Sequence, residues 1–150
     1  GDAFWLANPW KFYFVDAEGI SVLRLKAGAV LPLTGMEVPG DPEVIPTDFV
    51  PDRSGEYNYK HNSVGYDHEK GLYYWRTSVP GNIGVTPSRF YVRFDRNDVD
   101  TVRVLFKFTS GAAVGGDGIE VSVREMYYND RLIIKNSDYS REEGIVIMKR

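Results

Sequence analysis

The sequence contains no cysteine. Disulfide bridges, thiolate metal sites and a cysteine nucleophile are therefore excluded, because each of them needs a thiol. Apolar runs of about 18 residues, the length that a membrane-spanning helix needs, are also missing. The net charge of −3 lacks the basic excess that nucleic-acid-binding domains carry. We therefore expect neither a transmembrane segment nor a nucleic-acid partner.

Helical periodicity and the common catalytic and metal-binding signatures are lacking as well. No Gly-x-Ser-x-Gly elbow, phosphate-binding loop or dinucleotide fingerprint occurs. The two histidines, His61 and His68, fit neither the His-Glu-x-x-His pattern nor a zinc finger. The acidic cluster from Asp95 to Asp100 lacks the glycine that a calcium loop needs at its sixth position, and it is interpreted as a hairpin turn. We expect a non-catalytic chain without a cofactor or a bound metal.

What the sequence does contain is aromatic residues, at 14%, together with 15 glycines and 8 prolines. Aromatic and β-branched residues separated by turn formers are typical of an all-β chain. Apolar side chains recur at every second position in three stretches, residues 90–94, 102–108 and 121–123, and a one-residue slip in register would move them all into water. We predict that they form one buried face of a central antiparallel sheet: Phe90, Val92, Phe94, Val102, Val104, Phe106, Phe108, Val121 and Val123.

Turn formers separate the predicted strands. The run from Asp16 to Gly19 predicts a hairpin after an aromatic first strand, with Gly19 at positive φ. Asn129 and Asp130 predict a two-residue hairpin turn, because both residue types tolerate left-handed conformations. Roughly seven to nine strands joined in this way predict a single domain, residues 1–150, folded as an immunoglobulin-like antiparallel β-sandwich.

A proline-rich segment from Thr34 to Val64 interrupts this pattern. Proline has no amide donor and is excluded from central strands, so the segment is predicted to be a long connection or an edge segment. Connections of this length are uncommon unless they have a function of their own. The alternative is a crossover from one sheet of a sandwich to the other, and we favour it.

Aromatic residues are concentrated at the end of this segment and in the strand that follows it. Exposed rings beside polar side chains suit stacking on a sugar or gripping a peptide. We predict a ligand site here, and not at the glycine-rich tip at residues 110–118. The predicted site residues are Tyr57, Tyr59, Tyr66, Asp67, His68 and Trp75. For Trp75 the alternative is the central core tryptophan of a sandwich, and we favour it. For Asp67 and Glu69 the alternative is a hydrolase carboxylate site.

Three segments carry a resemblance to a known group of proteins. They are the opening strand and turn Phe12-Tyr-Phe-Val-Asp-Ala-Glu-Gly19, the strand entry Asp98-Val-Asp-Thr-Val-Arg-Val104 and the late hairpin Tyr127-Tyr-Asn-Asp-Arg-Leu132. They resemble the small, uncharacterised domains of bacterial envelope lipoproteins. The resemblance implies export to the cell envelope or beyond, with a signal peptide and a lipidated cysteine that preceded Gly1, and it transfers no functional residue.

The expected function is a non-catalytic binding or structural module of the bacterial cell envelope. Its expected partner is a glycan or an envelope protein. Two alternatives stay open at this point: a carbohydrate-binding accessory domain that uses the exposed rings, and a hydrolase with a carboxylate site in a loop.

Overall fold

Alternating apolar and polar residues form strands throughout the part of the chain that can be described. In a computed structural model these are residues 3–23, 33–38, 41–44, 50–51, 57–59, 62–95, 97–110, 118–135 and 143–149. These ranges contain no helix, and so none that is long and apolar enough to cross a membrane. Their strands are β1 Ala3–Val15, β2 Leu33–Val38, β3 Asp41–Val44, β4 Val50–Pro51, β5 Tyr57–Tyr59, β6 Asn62–Asp67, β7 Leu72–Asn82, β8 Ser88–Asp95, β9 Asp98–Ser110, β10 Ile119–Tyr128, β11 Arg131–Lys135 and β12 Ile145–Met148.

The strands form two six-stranded sheets. The first sheet has the order β12-β1-β7-β6-β5-β4, and the second has the order β11-β10-β9-β8-β2-β3. Neighbouring strands are antiparallel except for β12, which runs parallel to β1. The predicted all-β, two-sheet fold is confirmed, and the eight described strands of five or more residues match the predicted number. The strand order does not confirm the immunoglobulin-like wiring.

The proline-rich segment crosses between the sheets, which is the alternative that the sequence favoured. In its described residues, β2 and β3 extend the second sheet, whereas β4, β5 and β6 belong to the first. Pro42 lies in β3 and Pro51 lies in β4, the outermost described strands of their sheets. Proline is tolerated at such an edge because one side of the strand needs no ladder hydrogen bond.

The core lies between the two sheets, where aromatic rings of β1 meet the second sheet. The ring centroids of Phe14 and Phe94 are 5.0 Å apart, and those of Phe4 and Phe106 are 5.2 Å apart. The predicted core face is confirmed. Phe94, Phe108 and Val121 are partly buried and pack against the core cluster, and the other predicted residues are buried within it.

A β-bulge at Arg124 changes which residues of β10 face the core. Val123 pairs with Phe106 and Glu125 pairs with Leu105, so β10 holds one extra residue. The buried positions therefore continue from Val123 to Met126, which a strict period of two does not predict.

The predicted turns are confirmed by their backbone angles. Asn129 and Asp130 have φ values of 45° and 66°, as a two-residue hairpin turn requires, and Gly19 has a φ of 79°. After Gly19 the chain returns along β1, because Ser21 pairs with Val15. The sequence predicts that the second strand of this hairpin runs over residues 20–26; its described part holds only the bridge at Ser21, and residues 24–26 lie outside the described residues.

A polar network ties the end of β12 to the second sheet. The Nζ of Lys149 lies 2.5 Å from Oδ2 of Asp100 and 3.0 Å from Oδ1 of Asp98. The Tyr128 hydroxyl donates to Oδ2 of Asp100, and the Asn129 side-chain amide donates to Oδ1 at 2.9 Å. Burial favours the neutral Asp100 carboxyl, but Lys149 and the two donors outweigh burial and hold its pKa below the usual value. Asp98 and Asp100 lie at the start of β9, and their ion pairs with Lys149 therefore link the second sheet to the end of β12 in the first.

Candidate functional site

A groove with aromatic and apolar walls lies between the first hairpin and the β6–β7 turn. Its volume is about 570 Å³. We call it the aromatic groove and define it by six of its lining residues: Ile20, Ser21, Tyr66, Lys70, Leu72 and Tyr73. The side chains of Ile20 and Tyr66 are exposed, so the groove is open to solvent.

One wall of the aromatic groove is formed by rings on β6 and β7. Tyr66 and Tyr73 are directly paired across these antiparallel strands. Their ring centroids are 4.8 Å apart in an edge-to-face arrangement, and the ring of His68 meets Tyr66 at 4.9 Å in the same manner. Such pairs restrict the motion of the rings, so Tyr66 is held in place although its side chain is exposed.

The other wall is formed by the return of the first hairpin. The Asp16 carboxylate accepts hydrogen bonds from the backbone N–H groups of Glu18 and Ile20, both at 2.9 Å. The Ser21 hydroxyl donates to the carbonyl oxygen of Leu23 at 2.8 Å and accepts from the backbone N–H of Tyr73 at 3.4 Å. The bond between Tyr73 and Ser21 connects the two walls, which are far apart in the sequence.

The turn between β6 and β7 is organised by Asp67. Its Oδ1 accepts hydrogen bonds from the backbone N–H groups of Glu69 and Lys70, both at 3.0 Å. Gly71 follows with a φ of 66°, in the left-handed region that favours glycine, and its N–H donates to the Asp67 carbonyl oxygen at 2.8 Å. The backbone of His68, Glu69 and Lys70 is therefore fixed while their side chains are exposed.

A buried tyrosine of β1 donates a hydrogen bond to the same Asp67 carboxylate. The Tyr13 hydroxyl donates to Oδ2 of Asp67 at 2.6 Å, and the Nζ of Lys11 lies 4.0 Å from that oxygen. The Tyr13 hydroxyl, followed by the backbone N–H of Lys70, lowers the pKa of the Asp67 carboxyl. Burial, followed by the hydrogen bond to Asp67, raises the pKa of Tyr13. The pair is therefore a neutral phenol that donates to an ionised carboxylate.

The substitution Tyr13→Phe is expected to raise the pKa of Asp67 towards the ordinary value, because the strongest donor to its ionised form is removed. A carboxyl-detected NMR titration of Asp67 measures this pKa. The control is Tyr74→Phe, whose ring packs edge-on against Tyr13 and whose hydroxyl makes no described bond to Asp67. An unchanged Asp67 pKa in Tyr13→Phe would contradict the assignment of this hydrogen bond.

The structure brings some of the predicted site residues together and separates others. Tyr66 and His68 are in contact at the aromatic groove, and Asp67 organises the turn beside it. Tyr57 and Tyr59 lie in β5, where their backbones pair with Val64 and Asn62 of β6. Their side chains lie outside the part of the chain that the structure describes, as does His61.

The prediction that Trp75 takes part in ligand binding is wrong. Its side chain is only 1% exposed, and its ring packs against those of Phe12 and Phe14 at 5.6 Å and 6.1 Å. A buried ring offers no face to a ligand. Trp75 is the core tryptophan of the sandwich, which is the alternative that the sequence favoured.

Residues that sequence reasoning missed form much of the aromatic groove. Ile20 and Ser21, which face Tyr66 across the groove, belong to the first hairpin. The sequence had predicted that the proline-rich segment would form this wall. Tyr73 belongs to the aromatic group from which the site was predicted, but neither Tyr73 nor Leu72 was among the predicted site residues. The sequence did contain a signal for Lys70. It directly precedes Gly71 in the turn that follows the predicted site residues Tyr66 and Asp67.

Within the described ranges, no group of three or more His, Asp or Glu side chains is arranged to hold a metal ion.

Comparisons of the chain with known protein families, curated proteins and solved structures find no match. We therefore base the functional proposal on the geometry of the aromatic groove.

Proposed function

We propose that the protein is a non-catalytic binding module that binds a saccharide in the aromatic groove. The observation that carries this proposal is the state of Tyr66, whose side chain is 42% exposed although its ring is held by two other rings. A ring that is exposed and already fixed offers apolar surface to the C–H face of a sugar and loses little freedom on binding.

Polar groups beside the ring suit the same class of ligand. The polar residues Ser21 and Lys70 line the groove together with the apolar residues Ile20 and Leu72. Small-molecule sites typically combine apolar walls with a few placed polar groups that orient the ligand. Sugars have both kinds of surface, because their rings carry C–H faces and hydroxyl edges.

The substitution Tyr66→Ala is expected to weaken saccharide binding by about 1–3 kcal/mol, since it removes the exposed stacking surface. A glycan array identifies a bound saccharide, and calorimetry with that saccharide measures the loss. The matched control is Tyr127→Ala, which removes a ring from the second sheet, where it contacts Arg103 at 4.2 Å. A folded Tyr66→Ala protein that keeps the wild-type affinity would refute the assignment of the site.

The cellular setting is a separate part of the proposal. The resemblance of the segments at residues 12–19, 98–104 and 127–132 to envelope lipoprotein domains supports an exported protein. Fractionation of cells that express the full-length gene product tests it. Recovery in the envelope or the medium is expected, and recovery only in the cytoplasm would refute it.

A further inference from the structure

We propose that the saccharide bound in the aromatic groove is acidic and that Lys70 binds its carboxylate or sulfate group, an inference that rests on the proposed function. Lys70 contributes the one charged side chain among the described residues that line the groove. The other lining residues are aromatic, aliphatic, serine or glycine. The groove therefore combines a stacking surface with a single positive charge.

The ammonium of Lys70 is not neutralised by a carboxylate of the described residues. Its Nζ lies 5.6 Å from the centroid of the Tyr13 ring, and none of the ion pairs seen between described residues involves Lys70. Asp67 lies three positions before Lys70, but its carboxylate is engaged by the Tyr13 hydroxyl and by backbone N–H groups. An anionic group of a ligand can therefore pair with this ammonium without displacing a carboxylate of the described residues.

The surroundings of Lys70 fix its backbone and leave its side chain adaptable. The Lys70 N–H donates to Oδ1 of Asp67, and the side chain itself is exposed. A lysine ammonium acts as a compact point charge that accepts different anion geometries, which is why carboxylate and sulfate are both admitted. The exposed Glu69 in the same turn does not line the groove.

Two pairs of probes test the proposal: an oligogalacturonate with its methyl-esterified form, and a sulfated galactan oligosaccharide with its desulfated form. Each pair keeps the sugar backbone and changes the charge. The wild-type protein is expected to bind at least one charged probe about tenfold more tightly than its uncharged form, as a charge-assisted hydrogen bond would give. The pair that shows the difference identifies the anionic group.

The substitution Lys70→Gln is expected to abolish this preference, and Lys70→Arg is expected to restore most of it. Lys107→Gln is the matched control, because Lys107 is an exposed lysine of the second sheet. Since Lys70 is also exposed, its variants should melt like the wild type. The part of the affinity that depends on Lys70 should weaken as salt is added.

The possible results separate the inference from the proposed function. Equal binding of charged and uncharged probes, lost in Tyr66→Ala but not in Lys70→Gln, would overturn the inference and leave the saccharide site standing. A charge preference that survives Lys70→Gln would overturn the role of Lys70. Failure of the wild type to bind these probes or any glycan on an array would overturn both proposals.

Discussion

Replacing Phe106 with alanine is expected to lower the free energy of unfolding by about 3–5 kcal/mol, the range for loss of a buried aromatic side chain. Phe106 lies in β9, is only 3% exposed, and contacts the rings of Phe4 at 5.2 Å and Phe108 at 5.9 Å. Phe4 belongs to the other sheet, so the substitution removes packing between the sheets. Because two hydrogen-bonded sheets can move only partly into the cavity left by the Phe106 ring, the van der Waals contacts of that ring are not replaced.

Denaturant unfolding of Phe106→Ala and the wild type measures this difference. The control is Ile119→Ala in β10, because the Ile119 side chain is 47% exposed and its loss should change the stability by less than about 0.5 kcal/mol. A loss below about 1 kcal/mol in Phe106→Ala would mean that the assignment of the buried face is wrong.

The substitution Asp100→Ala is expected to cost about 2–4 kcal/mol at neutral pH. It removes the acceptor of the Tyr128 hydroxyl and the Asn129 amide, and it removes one of two carboxylates beside Lys149. Breaking a buried ion pair generally costs about 3–5 kcal/mol, and leaving a donor unsatisfied costs about 1–3 kcal/mol. We expect less than the sum of these costs because Lys149 keeps its pair with Asp98.

The same variant should show a specific pH dependence. The pKa of Asp100 is lowered in the folded protein, so its contribution is complete above the unfolded pKa of about 4 and is lost as the pH falls through the folded value. The difference in stability between the wild type and Asp100→Ala should therefore shrink below about pH 4. Denaturant melts at neutral and acidic pH measure it, with Asp98→Ala as the control for the more exposed partner. A difference that is constant with pH would contradict the assigned ion pair.

Features that depend on neighbouring residues were predictable from the sequence. The buried face from Phe90 to Phe108 follows from alternation within single strands, and the turns at Gly19 and Asn129-Asp130 follow from the conformations these residues tolerate. The missing amide donors of proline predicted a connection or an edge segment, and the crossover between sheets was favoured because Greek-key sandwiches are commonly wired in this way.

Features that depend on distant residues were not predictable in the same way. The parallel pairing of β12 with β1 and the bulge at Arg124 depend on partners that a local pattern does not specify. At the aromatic groove, Tyr66 and His68 were found because they lie in one aromatic and polar segment. Ile20 and Ser21 were missed because their place opposite Tyr73 is a consequence of the return of the first hairpin.

The pairing of β1 with β12 also has a consequence for folding of the chain. The edge of β1 from Phe12 to Val15 is covered by residues Ile145 to Met148, which are far from it in the sequence. Contacts between such distant residues form slowly, because a long loop must close before they are gained. Until β12 has docked, that edge of β1 can pair with other chains, and a folding intermediate that lacks β12 is therefore prone to aggregation.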